Sequence, residues 1–223
     1  MTEKINNEKI EEAQEVKVEN KSEEKGINFK IFDMWDLSEI QITDPGLRNV
    51  INLKPMLALK THGRNVVKHG QTKVNIVERL MNKLSLTGHR NKKHRIEVGH
   101  STGKYSKNMK TVIEAFKIIE KKTKKNPVEV LVKAIENASP RDETTVIEYG
   151  GARYPQAVDV SPIRRVNLSL RNMVHGASDK AFGKKKKLSQ ALADEIIMAY
   201  EVNGESSAIK KKKESEAQAD SAR

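Results

Sequence analysis

The stretch TTVIEYGGARYPQAVDVSPIRR, residues 144–165, predicts a β-hairpin that leads directly into a basic helix. Gly150-Gly151 separates two strand-like runs and is typical of a two-residue hairpin turn, whose central residues need positive φ. The turn sets the strand register and makes three facing pairs: Tyr149–Ala152, Glu148–Arg153 and Ile147–Tyr154. The second pair is oppositely charged and the third sets an aromatic ring against a β-branched side chain, and both kinds of pair stabilise a hairpin.

Pro155 indicates that the ribbon has only two strands, because proline lacks an N–H and is confined to an open sheet edge. A two-stranded ribbon is marginal alone, so the rest of the fold must brace it. Ser161-Pro162 predicts a helix start, with serine as N-cap and proline in the first helical position. Apolar residues follow at helical spacing, which leaves Arg164, Arg165 and Arg171 for the other faces. A ribbon beside an arginine-bearing helix indicates a protein that binds nucleic acid.

The charge of the chain is unevenly distributed. The 223 residues carry a net charge of +12, yet residues 1–40 hold 11 acids against 6 lysines, so the remainder carries +17. Such an imbalance points to a polyanionic partner, most commonly nucleic acid, the alternative being a soluble protein with a basic surface. Aromatic residues make up only 4%, so a sheet that stacks bases on aromatic platforms is not expected.

Several classes of site are not expected from the composition. The lack of cysteine excludes disulfides, thiolate zinc sites and thiol nucleophiles. No apolar run is long enough to span a bilayer and no signal-peptide pattern is present, so we expect a cytoplasmic protein. His89, His94 and His100 share one basic loop without carboxylate or helical pairing, so we expect no metal there. We also expect no cofactor.

The chain is expected to have three regions. Residues 1–28 are rich in Glu, Lys and Asn and predict a disordered tail, with a weak solvated helix as the alternative. Residues 29–72 predict an extended arm, which holds the only tryptophan and one short helix starting at Asp44-Pro45. Residues 73–223 predict a helical body that carries the hairpin at 144–160.

Caps and glycines set the expected helix boundaries in the body. Asn126-Pro127 predicts the start of one helix. Gly176 is expected to end the helix that follows the ribbon, Ser189 to begin the next one, and Asn203-Gly204 to end it. Residues 206–223 have almost no apolar stripe, so a helix there needs a partner or solvent to hold it.

Several segments together resemble a known family. They are TKVNIVERLMNKL (72–84), NPVEVLVKAIENASPRDETT (126–145), YGGARYPQAVDVSPIRR (149–165), LADEI (192–196) and SSAIKKKKE (206–214). They are similar to protein seven of the small ribosomal subunit, in its archaeal or eukaryotic form. FKIFDMWDLSEIQITDPGL (29–47) resembles the arm of that branch, so the resemblance covers residues 29–223. HSTGKYSKNMK (100–110) is more polar than the family pattern.

The resemblance implies a mainly α fold: a six-helix bundle with a protruding two-stranded β-hairpin and an extended N-terminal arm. It implies a structural constituent of the small ribosomal subunit that is a primary binder of ribosomal RNA and organises the head domain. Neighbouring small-subunit proteins are further implied partners, with no membrane and no small-molecule substrate. The ribbon tip would lie near exit-site transfer RNA and messenger RNA. That tip comprises Tyr149, Gly150, Gly151, Ala152, Arg153 and Tyr154.

Basic residues of the loops and of the helix after the ribbon are the candidate ribosomal-RNA contacts. Arg164 and Arg165, at the start of that helix, are expected to be free to reach phosphates. The full set is Arg90, Lys92, Lys93, Arg95, Lys104, Lys107, Lys110, Arg141, Arg164, Arg165, Arg171, Lys184, Lys185, Lys186 and Lys187.

Two other classes of protein compete with this interpretation. An architectural DNA-binding protein also uses a β-ribbon arm, and Pro155 could act as its wedge between base steps. The long basic loops suit irregular RNA better than a uniform duplex. An enzyme is not expected, because no Gly-rich phosphate loop, paired-carboxylate motif or nucleophile elbow is present. Asp142-Glu143 is the one acid pair near the ribbon, and such adjacent acids are typical of a solvated turn.

Overall fold

The computed structural model describes residues 30–55, 60, 66–87, 89–90, 93–94 and 104–223, and at 89–90 and 93–94 it describes the backbone alone. The expected tail at 1–28 and the candidates Lys92 and Arg95 lie outside the described residues. The elements in chain order are α1 (Pro45–Arg48), a 3₁₀ helix (Gly70–Lys73), α2 (Ile76–Leu84), β1 (His89–Arg90), β2 (Lys93–His94), α3 (Tyr105–Thr123), α4 (Pro127–Ala138), β3 (Asp142–Tyr149), β4 (Ala152–Asp159), α5 (Pro162–Ala181), α6 (Leu188–Tyr200) and α7 (Ser207–Asp220).

Within the described residues, six helices, α2 to α7, form the body, so the predicted mainly α bundle with a protruding hairpin is confirmed. Helix α6 packs against α3, α4 and α5, and α7 packs on α5. The apolar stripes of these helices meet in one core, in which Leu80, Phe116, Leu131, Leu170 and Ile196 are fully buried. Each of the helices α2 to α6 supplies one of these side chains, as expected for amphipathic helices packed around a common centre.

The described part of the N-terminal arm packs into the body. Ile31 and Trp35 are buried in the common core. The Trp35 ring meets Phe116 of α3 edge-on, with 5.5 Å between the ring centroids, and its Nε1 donates to the Glu120 carboxylate at 3.2 Å. An aromatic side chain of this size carries a large hydrophobic contribution, and the hydrogen bond satisfies its one polar atom.

Three asparagine or aspartate side chains cap starts of the helices that the structure describes. The Asp44 carboxylate accepts a hydrogen bond from Gly46 N at 2.9 Å, and Asn126 Oδ1 accepts one from Val128 N at 3.1 Å. Both predicted caps are therefore confirmed. Asn75 caps α2 in the same way, which the sequence did not suggest. Ser161 occupies the N-cap position of α5 with extended backbone, but its side chain makes no capping hydrogen bond.

The hairpin has the predicted register. Tyr149 pairs with Ala152 and Ile147 with Tyr154 across a two-stranded antiparallel sheet. Gly150 and Gly151 have φ of 58° and 82°. These backbone angles are unfavourable for residues that carry a β-carbon and are readily adopted by glycine. The strands run from 142 to 159, so the first strand begins two residues before the predicted hairpin.

Gly176 does not end α5, contrary to expectation. The helix continues to Ala181, and Gly176 is buried within it. A β-carbon at this position would lie 2.5 Å from the Ser207 Cβ and 3.0 Å from the Glu195 Cδ. The glycine is therefore required by the close approach of α7 and α6 rather than by a helix stop.

The predicted limits of α6 are also wrong. The helix begins at Leu188 and ends at Tyr200, and Ser189 is buried in its first turn instead of capping it. The left-handed residue after the helix is Val202, with φ of 57°, and not Gly204. Asn203 lies beyond it, and its side chain accepts a hydrogen bond from Glu205 N at 3.0 Å.

A fully buried carboxylate, Glu195, holds the start of α7. Its Oε1 accepts hydrogen bonds from Ser206 Oγ at 2.8 Å and from Ser207 N at 2.6 Å. Its Oε2 accepts one from Lys180 Nζ at 2.6 Å. A negative charge at a helix N-terminus is favourable, and this one also satisfies backbone N–H groups that lack helical partners. The partner that holds the C-terminal helix is thus the protein's own core.

The far half of α7 braces the ribbon. Glu216 accepts a hydrogen bond from Arg141 N at 3.1 Å, and Arg223, just past the helix, pairs with Asp142 at 2.7 Å. The Arg141 carbonyl in turn accepts from Val160 N at 2.8 Å, which closes the base of the ribbon. The support that a two-stranded ribbon needs therefore comes from α7.

Candidate nucleic-acid interface

One face of the ribbon presents aromatic and apolar side chains to solvent. Residues two apart in a strand share a face, so the register places Ile147, Tyr149 and Tyr154 together. Their exposed fractions are 46%, 81% and 58%. All six predicted tip residues, 149 to 154, are exposed and lie together at the end of the ribbon.

The opposite face of the tip carries an ion pair. Arg153 Nε lies 3.6 Å from Glu148 Oε2, and both side chains are well exposed. The two charges cancel locally, so the end of the ribbon is close to neutral. An exposed pair of this kind contributes little to stability and can be exchanged for another partner.

The root of the ribbon is joined to α5 by Arg164. Its Nε and Nη2 make two hydrogen bonds to the Glu143 carboxylate, at 2.6 and 2.5 Å. This bidentate contact lowers the pKa of Glu143 and raises the pKa of Arg164. The expectation that Arg164 is free is therefore wrong, although the side chain remains 53% exposed.

Arg165 faces inward and connects α5 to the N-terminal arm. Its Nη2 donates to the Asp44 carboxylate at 2.8 Å, and only 12% of the side chain is exposed. Burial opposes ionisation of Asp44, but hydrogen bonds from Arg165 and from Gly46 N outweigh it and lower the pKa of Asp44. The expectation that Arg165 is free for a phosphate is also wrong.

The two arginines are expected to respond differently to replacement. Arg164→Ala removes an exposed pair and should lower the free energy of unfolding by less than about 1 kcal/mol. Arg165→Ala leaves Asp44 partly buried without its partner, so we expect a loss of about 1–3 kcal/mol. Urea unfolding followed by circular dichroism measures both. Equal losses for the two variants would contradict the assignment of Arg165 as a structural residue.

A second group of cations lies on α2 and α5. Burial lowers the pKa of Arg79 to about 10, and its Nη1 donates to the Val50 carbonyl at 3.0 Å. Burial, together with repulsion by Arg171 and Arg79, lowers the pKa of Lys83. Like charges crowded in this way favour an incoming anion. Of this group only Arg171 was predicted, because Arg79 and Lys83 lie on a helix assigned to the core.

A cleft of about 540 Å³ beside α1 and the 3₁₀ helix forms a third basic surface. Three exposed cations line it, and none of its lining residues is acidic: the cations are Arg48, Lys54 and Lys73. No pattern in the sequence indicated this cleft, because the three residues are isolated in the arm and in the loop before α2. The fold brings them together by setting Asn52 beside Asn75 and Lys73.

The remaining candidates fall into separate places. The structure gathers Arg141, Arg164, Arg165 and Arg171 around the first half of α5, where Asp44 and Glu143 interact with them. Lys184–Lys187 follow the other end of this 20-residue helix, which is about 30 Å long. In that loop Lys186 is paired with Asp194 at 2.5 Å. Lys104 precedes α3, and Lys107 and Lys110 lie in its first turns.

In the part of the chain that the structure describes, no group of three or more His, Asp or Glu side chains is placed to hold a metal ion. Among the same residues, no helix combines the length and the apolar character needed to cross a membrane.

The chain, whose fold is a helical body with a braced ribbon, is similar to ribosomal proteins. The family model described as Ribosomal protein S7p/S5e matches residues 56–223. The chain belongs to this family, which is structural and not enzymatic.

Archaeal relatives match over most of the chain. Small ribosomal subunit protein uS7 of Nanoarchaeum equitans is 52% identical over 199 residues, 88% of this chain and 100% of that protein. The proteins of the same name from Methanosphaera stadtmanae and Methanothermobacter thermautotrophicus are 46% identical over 197 residues and 48% identical over 187. Those matches cover 88% and 83% of this chain, and 100% and 95% of the relatives. The predicted family and its archaeal type are confirmed.

Proposed function

We propose that this protein is a constituent of the small ribosomal subunit in the cytoplasm, where it binds ribosomal RNA as a primary binder and organises the head domain. The observation that carries this proposal is the gathering of cations on three neighbouring parts of the surface. The cations that reach this surface are Arg141 and Arg164 at the ribbon root, Lys83 and Arg171 on α2 and α5, and Arg48, Lys54 and Lys73 in the cleft. An irregular RNA can touch all three with its phosphates, and arginine and lysine are the side chains that bind phosphate.

The ribbon is proposed to act as a separate arm near exit-site transfer RNA and messenger RNA. Its tip differs chemically from the body, because its one ion pair cancels its charge and Tyr149 and Tyr154 present exposed rings. A β-carbon placed on Gly150 or Gly151 would have no heavy atom within 4 Å, so the turn is open. Without side chains, it lets another backbone approach closely. These features suit contact with a ligand that other groups hold in place, and not tight binding by the arm alone.

Deletion of Glu148–Tyr154 should leave the body folded and able to bind ribosomal RNA. None of these residues belongs to the core, and the anchors of the ribbon at Arg141 and Glu143 remain. In ribosomes that carry the deletion, we expect weaker retention of exit-site transfer RNA and a higher rate of frame errors. Thermal unfolding and RNA binding of the isolated variant, followed by transfer-RNA retention, measure these effects.

The matched control for the deletion is Glu148→Gln with Arg153→Gln, which removes the tip ion pair but keeps the ribbon length. Normal transfer-RNA behaviour in the deletion ribosomes, combined with impaired assembly, would show that the ribbon only supports the subunit and would refute its role as an arm.

A further inference from the structure

A polar cleft of about 420 Å³ opens at the root of the ribbon, where the N-terminal arm, α4, α5 and α7 meet. Four cationic side chains and two carboxylates line it. They are Lys133, Arg141, Arg165 and Lys212, with Asp44 and Glu136. The lining therefore has two positive charges in excess.

Both carboxylates of this root cleft are already engaged. Asp44 is held by Arg165 at 2.8 Å. Glu136 Oε1 accepts hydrogen bonds from the backbone N–H of Thr43 at 2.6 Å and of Asp44 at 3.0 Å, and its Oε2 accepts one from Lys133 at 3.2 Å. These contacts fix the arm to α4. Neither carboxylate is hydrogen-bonded to the two other cations of the cleft.

Arg141 and Lys212 carry the excess charge. Lys212 Nζ donates to the Asn137 carbonyl at 2.9 Å, which leaves its charge without a hydrogen-bonded carboxylate. Burial lowers the pKa of Lys212, the nearby Glu216 carboxylate opposes this, and Arg141 and Arg165 lower the pKa further. Among the described residues, Arg165 Nε is also buried without a hydrogen-bond partner. The root cleft thus holds more positive charge and more donors than the protein itself satisfies.

We propose that the root cleft is a binding site for one phosphate group, taken between Arg141 and Lys212. Phosphate oxygens accept hydrogen bonds from a guanidinium fork and from an ammonium group, and a single anion would offset the repulsion between the two. The phosphate can come from free inorganic phosphate or from an RNA backbone, and only the second source rests on the proposed RNA binding. Because Arg141 begins the ribbon, occupation of the site stabilises the ribbon root.

Thermal unfolding in inorganic phosphate tests the site without RNA. Sodium phosphate and sodium chloride are compared at equal ionic strength and pH 7, with the full chain. At a phosphate concentration about tenfold above the dissociation constant, the melting temperature of the unchanged protein should rise by roughly 3–5 °C. Arg141→Gln should abolish the rise, because it removes one of the two proposed phosphate ligands. It should leave the fold intact, because the side chain is exposed and makes none of the hydrogen bonds that close the ribbon.

Two further variants make the result decisive. Lys212→Gln should also abolish the rise. Lys213→Gln removes the same charge from the next, exposed position of α7 and should retain it. A rise of equal size in Arg141→Gln, Lys212→Gln and Lys213→Gln, or no rise in the unchanged protein, would overturn the proposal.

Binding to a small-subunit ribosomal RNA fragment then identifies the source of the phosphate. If the source is the RNA backbone, Arg141→Gln lowers the affinity about tenfold while Lys213→Gln changes it by much less. If the phosphate effect is lost but the RNA affinity is retained, the site takes free phosphate. Failure of all variants, including the unchanged protein, to bind the RNA would refute the proposed function and leave the phosphate result standing.

Discussion

Glu195→Ala is expected to lower the free energy of unfolding by about 3–5 kcal/mol, the usual effect of breaking a buried charged contact. The carboxylate is fully buried and accepts hydrogen bonds from Lys180, Ser206 and Ser207. Its removal leaves a cation facing a cavity and the first N–H groups of α7 without an acceptor. Urea unfolding followed by circular dichroism and by Trp35 fluorescence measures the loss.

Two further variants serve as comparisons for Glu195→Ala. Glu195→Gln keeps an oxygen for the start of α7 but removes the charge that faces Lys180, so its effect should be smaller. Glu201→Ala removes an exposed glutamate at the end of the same helix and should change stability by no more than about 0.5 kcal/mol. If Glu195→Ala cost no more than Glu201→Ala, the buried carboxylate could not be what anchors α7.

The affinity for small-subunit ribosomal RNA is expected to fall by about 10³–10⁵ between roughly 50 and 200 mM salt, if six to ten phosphates are neutralised. The net charge of +17 in residues 41–223 drives this effect, because each contact releases counterions from the RNA. Arg48→Gln with Lys73→Gln should reduce the slope by about two contacts, since these cations have exposed side chains in a cleft without acidic lining residues.

Lys122→Gln is the control for the salt experiment. Lys122 is already paired with Asp194 at 2.6 Å, so its replacement should leave the slope nearly unchanged. A structured RNA junction and bent DNA are compared at matched salt. A nearly flat salt response, or equal affinity for the two nucleic acids, would contradict specific electrostatic binding of RNA.

Local sequence rules were sufficient for the hairpin and for the helix starts at Asp44, Asn126 and Ser161. Gly150-Gly151 determines a two-residue turn, and the register then follows from strand geometry without information from elsewhere in the chain. Asp44 and Asn126 cap helices through contacts two residues away. Such features depend on short segments and are therefore visible in the sequence.

Features that depend on distant contacts were not predictable in the same way. Gly176 resembles a helix stop, yet its role is set by Ser207, which lies 31 positions further along the chain. In the sequence Arg164 and Arg165 look alike, as neighbouring cations in the first turn of one helix. In the fold Arg165 is buried against Asp44 of the docked arm, whereas Arg164 stays exposed. The Arg48–Lys54–Lys73 cleft likewise exists only after the arm has docked.

The bracing of the ribbon by α7 has a consequence for the order in which the chain folds. A hairpin closes locally, on a time scale of about 1–10 μs. Its anchors to α7 instead join residues 75 and 81 positions apart, and such contacts form more slowly because long loops must close first. During synthesis the ribbon segment is therefore made before the helix that braces it, and until α7 has docked the ribbon lacks its contacts to Glu216 and Arg223 and keeps the Arg164–Glu143 contact to α5.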